Sequence, residues 1–215
     1  VRPTHRTKPN SPILRTAVTS ADVAAVRTLV ERTGFFTDEE ADIAAELVEE
    51  RLNGEIEDTV LLLEHEPVIT IGRTPDRSSL LQAEASGLPV IETNRGGQAT
   101  YHGPGQLVGY LVLDLAQHGR DLHDYLRRIE EALIQTCLQF QINASRRDGL
   151  TGVWVANRKL ASIGVGVRKW ISMHGFALNV EPESLRGFQP IIPCGIQDVT
   201  MTCVSLEANR ALTVH

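Results

Sequence analysis

The chain has 215 residues, of which 42% are hydrophobic, and this composition supports a buried core in one main domain. Its 21 Lys and Arg stand against 27 Asp and Glu, and the formal net charge of −6 argues against a general nucleic-acid-binding protein. No apolar run approaches the roughly 20 residues of a membrane-spanning helix, and no secretory signal is present. Three cysteines without a Cys-x-x-Cys pair predict neither a disulfide framework nor structural zinc. We therefore expect a soluble, cytoplasmic protein with reduced thiols.

The N-terminal residues are predicted to lie outside the main domain. The polar, proline-bearing run over residues 1–12 is typical of a flexible leader. Residues 13–36 form an N-terminal extension, in which 13–18 favour a strand and Ser20 caps a helix. The main domain is expected to occupy residues 37–215.

Helices and strands of the main domain follow from hydrophobic periodicity. Thr37 and Glu40 form a capping-box pattern that opens a helix ending at Asn53-Gly54. A second helix over 121–140 has apolar residues at helical spacing, with Cys137 on the buried side. Strands are predicted at 59–63, 68–71, 89–92, 107–115, 152–156, 160–167 and 174–180. The pattern predicts an α/β fold of the α+β type, with helices packed on one mixed sheet.

A glycine-rich segment runs from Arg95 to Gln106 between two of the predicted strands. It holds four glycines, one arginine and one histidine in twelve residues. Glycine is costly inside regular structure, so this density indicates unusual backbone dihedrals or close approach to a ligand. Taken alone, the segment is equally well interpreted as a turn or as a site.

Two residues are candidates for nucleophilic chemistry. Cys194 stands between a proline and a glycine, outside any helical stripe or alternating strand, which suits a thiol presented for reaction. Lys159 stands immediately before a strand expected to be buried, and a partly desolvated lysine beside a thiol can act as its general base. The alternative for Lys159 is a solvated side chain at a strand edge. Cys203 has apolar neighbours and is predicted to pack in or near the core.

Two histidines leave metal binding open as an alternative. His102 and His174, together with Cys194, supply zinc-ligand types, but from three distant segments without a characteristic short spacing. In the favoured interpretation no metal is bound, and the two histidines orient a substrate carbonyl or fix the glycine-rich loop through hydrogen bonds. Asn179 would contribute its amide to the same network.

Taken together, these segments resemble the octanoyltransferases of lipoate biosynthesis, also called lipoyl(octanoyl) transferases. Several independent motifs in one order are far more specific than one glycine loop. The resemblance spans roughly residues 53–205. The motifs that carry it are Arg95 to Gln106, Lys159 to Gly164, His174 to Asn179 and Pro193-Cys194-Gly195, with Glu64 to Pro67 and Gly72-Arg73 as an earlier signature.

The resemblance implies the catalytic-domain fold shared by biotin and lipoate ligases, and acyl transfer without ATP or another cofactor. Cys194 would carry the octanoyl group taken from octanoyl-acyl carrier protein. Lys159 would lower the thiol pKa and later accept a proton from the incoming amine. The implied acceptors are lipoyl domains of 2-oxoacid dehydrogenase complexes and the glycine cleavage H protein. The family usually continues with a helix after Glu207, so a C-terminal helix is expected to be missing from residues 37–215.

The resemblance also implies a substrate-binding set around the acyl chain. The glycine loop would form one wall of an acyl tunnel, with Arg95 and His102 as positioning groups. Amides near Gly164 or Gly175 would stabilise the oxyanion of the tetrahedral intermediate. The implied substrate-binding residues are Arg95, Gly96, Gly97, Gln98, Ala99, Thr100, Tyr101, His102, Ser162, Ile163, Gly164, Gly175, Phe176 and Ala177.

Two alternatives from other classes are weighed against the transferase. A ligase of the same fold would activate lipoate or biotin with ATP and would need a lysine but no nucleophilic cysteine. A non-catalytic module that binds the carrier would retain the loop without its chemistry. The presence of both Cys194 and Lys159 disfavours each alternative.

Overall fold

The computed structural model describes residues 39–74 and 76–215, so the predictions for residues 1–36 and the cap at Thr37 lie outside it. Three α-helices are described: α1 Glu39–Asn53, α2 Leu122–Gln139 and α3 Val204–Glu207. The strands are β1 Thr59–Leu63, β2 Val68–Ile71, β3 Val90–Glu92, β4 Thr100–His102, β5 Gln106–Val112, β6 Ser145–Arg147, β7 Leu150–Val155, β8 Arg158–Arg168, β9 Ile171–Asn179 and β10 Thr200–Met201.

The strands form two sheets, so the prediction of a single sheet is wrong. The larger sheet has seven strands in the order β1-β5-β9-β8-β7-β6, with β10 added to β8 in parallel. The smaller sheet has the order β3-β2-β4. It has its own core, formed by Ile69, Tyr101 and Phe188 among others. The predicted combination of helices and a mixed sheet is confirmed, with the antiparallel ladder β5-β9-β8 at its centre.

Helix α2 covers the larger sheet on the side of β7 and β8. Asp121 caps the helix by accepting a hydrogen bond from the Asp124 N–H, and Tyr125, Ile129 and Cys137 are buried on its inner side. Cys137 is thus a core residue, as its position in the apolar stripe predicted. Helix α1 contacts β5 and β9. No helix within the two described ranges has the length and apolarity needed to span a membrane.

Two strand boundaries differ from the prediction at functionally relevant positions. The middle of the glycine-rich segment, Thr100–His102, is a strand, because β4 pairs antiparallel with β2 and places Ile69 opposite Tyr101. Three residues between glycines are too few to show an alternating pattern. Lys159 lies inside β8 and not before it, because Arg158 and Lys159 pair with both β7 and β10. That pairing depends on distant parts of the chain, which local periodicity does not report.

Candidate active site

The first half of the glycine-rich segment is clamped between the two sheets. The Arg73 N–H donates to the Arg95 carbonyl at 3.1 Å, and the Gly96 N–H donates to the Val165 carbonyl of β8 at 2.8 Å. A side chain at Gly72 would collide with the carbonyl of Gly97. These contacts hold the loop against the exposed edge of β8.

The four glycines of this segment meet different requirements. Gly97 has a φ of +86°, and Gly105 has a φ of +78° beside the Glu181 side chain. A side chain at Gly103 would collide with the hydroxyl of Tyr101. Gly96, by contrast, is exposed and lies close to β8. The density of glycine therefore reflects turn geometry and packing as well as the approach of the loop to β8.

Arg95 is a buried cation, with only 7% of its surface exposed. Its guanidinium donates to the Thr70 carbonyl at 2.8 Å, to the Thr70 hydroxyl at 2.9 Å and to the Gly96 carbonyl at 3.0 Å. Burial lowers its pKa, and the neighbouring Cys194 and Tyr110 act in the opposite direction. No carboxylate in residues 39–74 and 76–215 forms an ion pair with Arg95. Its charge is therefore available to the sulfur of Cys194.

Cys194 occupies a strained turn. It lies in the 3-10 turn Pro193–Gly195 with φ +56° and ψ 18°, a left-handed conformation that costs a non-glycine residue about 1–3 kcal/mol. The turn is held by a hydrogen bond of 2.7 Å from the Cys194 N–H to the Ala99 carbonyl, which ties it to the glycine loop. A side chain at Gly195 would collide with the amide of Gln98. The surrounding contacts thus fix an otherwise unfavourable backbone at the thiol.

Lys159 reaches the sulfur of Cys194 from β8. Its side chain is 1% exposed, and its Nζ lies 3.1 Å from the Cys194 Sγ and 5.4 Å from the centre of the Trp154 ring. The Ser162 Oγ lies 3.6 Å from the same sulfur. The interpretation of Lys159 as a solvated side chain at a strand edge is therefore wrong. The structure brings Cys194 and Lys159 together although 34 residues separate them in the sequence.

A β-bulge explains how Lys159 and Ser162 reach one sulfur. Residues three apart in a regular strand point to opposite faces. Val153 pairs with Ala161 but Trp154 pairs with Lys159, so β8 has one extra residue, Leu160, at this point. The bulge reverses the alternation and places Lys159 and Ser162 on the same face.

The electrostatic environment favours the thiolate of Cys194. Burial alone raises the pKa of a thiol, but here the charge of Lys159, hydrogen bonds from Ser162 and Lys159, and the charge of Arg95 outweigh it, so the pKa of Cys194 is lowered. Burial instead raises the pKa of Cys137 to about 11 and also raises the pKa of Cys203. Cys194 is thus the only one of the three cysteines whose pKa is lowered.

Selective alkylation tests this difference between the thiols. Because iodoacetamide reacts with thiolates, we expect the folded protein near neutral pH to be modified at Cys194 well before Cys137 or Cys203. Peptide mapping by mass spectrometry measures the three sites separately. Equal rates at all three cysteines in folded protein would contradict the pKa assignment.

His102 takes part in a buried hydrogen-bond network. Its Nδ1 lies 2.9 Å from the Gln106 Oε1, and the Gln106 amide donates to the Asn179 side-chain oxygen at 2.9 Å. The Asn179 amide donates in turn to the Thr202 carbonyl at 3.0 Å. The predicted network of the two histidines with Asn179 is confirmed for His102, to which Gln106 connects it, whereas His174 contacts Asn94 instead. Burial, followed by the nearby His65 and Arg95, holds the pKa of His102 well below its usual range.

His174 is part of a separate contact. Its Nε2 lies 2.6 Å from the Asn94 Oδ1. Burial, assisted by the charges of Arg95 and Arg73, lowers the pKa of His174 to about 4, so the ring is neutral at physiological pH. Within the described part of the chain, no three His, Cys, Asp or Glu side chains converge as a metal site would require. Zinc held by His102, His174 and Cys194 therefore has no support in the geometry.

The remaining predicted residues divide between the two strands and the loop. Ser162, Ile163 and Gly164 of β8 lie directly opposite Ala177, Phe176 and Gly175 of β9. Ile163 and Phe176 pack against the main core. In the loop, Ala99 and Tyr101 belong to the core of the smaller sheet, and Thr100 is buried beside them.

The backbone N–H and carbonyl groups of Gly164 and Gly175 take part in the pairing of β8 with β9. The Val165 carbonyl points away from β9, because it accepts the Gly96 N–H. In an antiparallel strand, the N–H and carbonyl of one residue point to one side and those of the next residue point to the other. The Gly164 N–H therefore points towards β9, where Gly175 lies directly opposite. The expectation that either amide stabilises the oxyanion therefore does not fit this ladder.

The sequence motifs did not predict roles for several residues near Cys194 and Lys159. Trp154 and Gly152 lie beside Lys159, and Glu130 accepts a hydrogen bond from the Gly152 N–H. Thr70 binds Arg95, and Gln106 joins His102 to Asn179. One signal was available, since a glycine inside a strand indicates a bulge or a close approach.

Comparisons with known proteins agree with this geometry. The family described as "Lipoyl protein ligase A/B catalytic domain" matches residues 38–215. A relative from Citrifermentans bemidjiense named "Octanoyltransferase" is 50% identical over 171 residues, covering 78% of this chain and 82% of the relative. An "Octanoyltransferase" from Geobacter metallireducens is 54% identical over 153 residues, covering 71% of this chain and 70% of the relative.

Solved structures with the same fold include lipoate protein ligases. Lipoate-protein ligase A bound with ATP has a TM-score of 0.62 at 14% identity, over 79% of this chain and 74% of that chain. Ta0514, a putative lipoate protein ligase from T. acidophilum with bound lipoic acid, has a TM-score of 0.60 at 14% identity, over 80% and 74% of the two chains. These likenesses confirm the predicted fold.

The family match over residues 38–215 thus defines the class as the lipoyl protein ligase A/B catalytic domain. The chain belongs to the lipoyl protein ligase A/B family and, within it, to the octanoyltransferases. The sequence motifs predicted a resemblance to the acyltransferases of lipoate biosynthesis, and the comparisons confirm it.

Proposed function

We propose that the protein transfers an octanoyl group from octanoyl-acyl carrier protein to the ε-amine of a lysine on lipoyl-domain proteins, through a thioester on Cys194. The observation that carries the proposal is the 3.1 Å contact between the Nζ of buried Lys159 and the Sγ of half-buried Cys194. The names of the related octanoyltransferases support the acyl group. The proposed reaction uses no metal and no cofactor.

The first half-reaction begins from the Cys194 thiolate beside the Lys159 ammonium. The thiolate attacks the carbonyl carbon of the donor thioester, and the bond from that carbon to the phosphopantetheine sulfur breaks. The Lys159 ammonium gives its proton to the departing thiolate, so the carrier leaves as a thiol. The enzyme then holds an octanoyl thioester and a neutral lysine.

The second half-reaction restores the starting state. The acceptor amine attacks the same carbonyl carbon, and the bond to the Cys194 sulfur breaks. Neutral Lys159 takes the proton that the nitrogen loses as the amide forms. Cys194 returns as thiolate and Lys159 as ammonium, so one pair of residues serves both halves and the protons balance over the cycle.

The acyl chain would follow the face of β8 that carries Ser162. Gly164 lies on this face, and a side chain there would come within 3.1 Å of the Arg95 side chain and of the Gly96 carbonyl. The absence of a side chain at Gly164 lets the glycine loop lie close against β8. We propose that the loop and this face of β8 border the acyl site, together with the other predicted substrate-binding residues of β8, β9 and the loop.

The donor of the acyl group distinguishes the proposal from a ligase. Structural neighbours of the same fold include a ligase bound with ATP. A ligase needs no nucleophilic thiol, whereas Cys194 here is activated by three neighbouring groups. We therefore expect octanoyl transfer from the carrier protein to a lipoyl domain in the absence of ATP. The mass of the lipoyl domain measures the product, and transfer from free octanoate only when ATP is added would overturn the proposal.

A further inference from the structure

Gly152 of β7 has a conformation that few other residues adopt. Its φ is +129°, inside a strand. A side chain at this position would lie 2.6 Å from the Ala161 carbonyl, 2.9 Å from the Lys159 Cε and 3.5 Å from the Lys159 Nζ. The space that a Cβ would take is therefore partly filled by the catalytic lysine.

The path of the Lys159 side chain explains why this space matters. At its Cα, Lys159 lies opposite Trp154, whereas its ammonium contacts the sulfur that also contacts Ser162, three residues further along β8. The side chain must therefore lean along the strand to reach Cys194, and it passes Gly152 on the way.

The backbone at Gly152 is tied to a buried carboxylate on α2. Glu130 is completely buried, and its Oε1 accepts the Gly152 N–H at 3.0 Å. Its Oε2 accepts from Arg127 at 2.6 Å and from Arg146 at 3.1 Å. Burying a carboxylate is costly, and the two arginines offset that cost. The proposed acyl transfer gives Glu130 no chemical role, so its contact with Gly152 calls for another function.

We propose that Gly152, held by Glu130, is a positioning residue for Lys159. It keeps open the path through which the Lys159 side chain reaches the sulfur, and Glu130 fixes the backbone that borders this path. The inference rests on the proposed function, in which Lys159 favours the thiolate of Cys194. Gly152 touches no reacting atom and acts through Lys159 alone.

Gly152→Ala tests the inference through the pH dependence of Cys194 alkylation, a property that loss of stability alone does not move. Displacement of the ammonium should move the midpoint of the alkylation curve to higher pH by about one unit and slow octanoyl transfer at neutral pH. Gly149→Ala is the matched control, because Gly149 precedes the same strand with φ +74° and no atom within 4 Å of its Cβ position. An unshifted midpoint in folded Gly152→Ala protein would overturn the inference.

A double-mutant cycle tests whether Gly152 acts through the lysine. In a Lys159→Ala background, where the ammonium is already absent, Gly152→Ala should cause no further shift of the midpoint. A second shift of equal size would show an independent effect and overturn the inference.

If Gly152→Ala does not fold, Glu130→Gln replaces it as the test variant. A glutamine has one side-chain oxygen, which cannot accept from both Gly152 and the arginines. In Glu130→Gln the midpoint of Cys194 alkylation is also expected to move to higher pH. An unchanged midpoint would contradict the positioning role of Gly152 and Glu130.

The unsubstituted protein separates this inference from the proposed function. If it forms no octanoyl adduct and its Cys194 alkylates with an ordinary thiol midpoint of about 8.5, the proposed function fails. If it forms the adduct with a lowered midpoint and Gly152→Ala changes neither, only the inference fails.

Discussion

Cys194→Ser is expected to reduce octanoyl transfer by roughly a thousandfold or more, because it removes the group that bonds to the acyl carbon. A serine hydroxyl stays protonated beside Lys159, and an oxygen ester is a poorer acyl donor to an amine than a thioester. The measurement is the rate at which a lipoyl domain gains mass in the presence of octanoyl-acyl carrier protein.

Cys137→Ala is the matched control for the loss of a thiol. Cys137 is buried between α2 and the sheet, away from the reacting sulfur. This variant should lose some stability and keep transfer activity close to that of the unsubstituted protein. Activity of Cys194→Ser at the level of this control would exclude Cys194 as the nucleophile.

Lys159→Met is expected to slow transfer by roughly 10²- to 10⁴-fold, the usual contribution of a positioned acid or base. Methionine keeps most of the volume in this buried position and removes the charge. In the proposed reaction three steps depend on that charge and its proton: stabilisation of the Cys194 thiolate, proton transfer to the departing carrier thiolate, and proton transfer from the acceptor amine. Lys169→Ala, at an exposed turn between β8 and β9, is the control for loss of a lysine.

The pH dependence of Lys159→Met has a defined sign. Lys159 lowers the pKa of Cys194, whereas burial raises it. When the lysine is removed, the effect of burial is opposed less, so the pKa of the Cys194 thiol rises. The thiolate then appears only at higher pH, and the alkylation curve should shift in that direction. An unchanged curve would show that Lys159 does not set the ionisation of Cys194.

The elements predicted most accurately were those with strong local patterns. Helix α2 was predicted to within one residue at each end, because its apolar spacing and the Asp121 cap are both local signals. The boundaries of β1 and β2 were also correct. By contrast, β6 and β10 were not predicted, because both are too short to show an alternating pattern, and β10 pairs with the distant strand β8. The separate β3-β2-β4 sheet likewise depends on long-range pairing that periodicity does not reveal.

The sequence singled out Cys194 and Lys159 as candidates, but it did not predict the contacts that support them. Cys194 stood out between a proline and a glycine, and the structure gives it a left-handed φ. The bulge at Leu160 was hidden, because a bulge changes pairing without changing the hydrophobic character of β8. The link from Glu130 to Gly152 joins a helix to a strand 22 residues away, which sequence spacing alone could not indicate.

The fold alone does not specify the reaction, since its structural neighbours include a ligase bound with ATP. In this chain a lysine inside β8 contacts a cysteine in the Pro193–Gly195 turn, and that contact supports the proposed covalent route.

The intact mass of the protein after incubation with octanoyl-acyl carrier protein, without an acceptor, tests the central claim most directly. We predict one octanoyl adduct on the unsubstituted protein, removed by hydroxylamine as a thioester would be, and no such adduct on Cys194→Ser. An unmodified mass for the unsubstituted protein, or a hydroxylamine-sensitive adduct that persists on Cys194→Ser, would contradict the account.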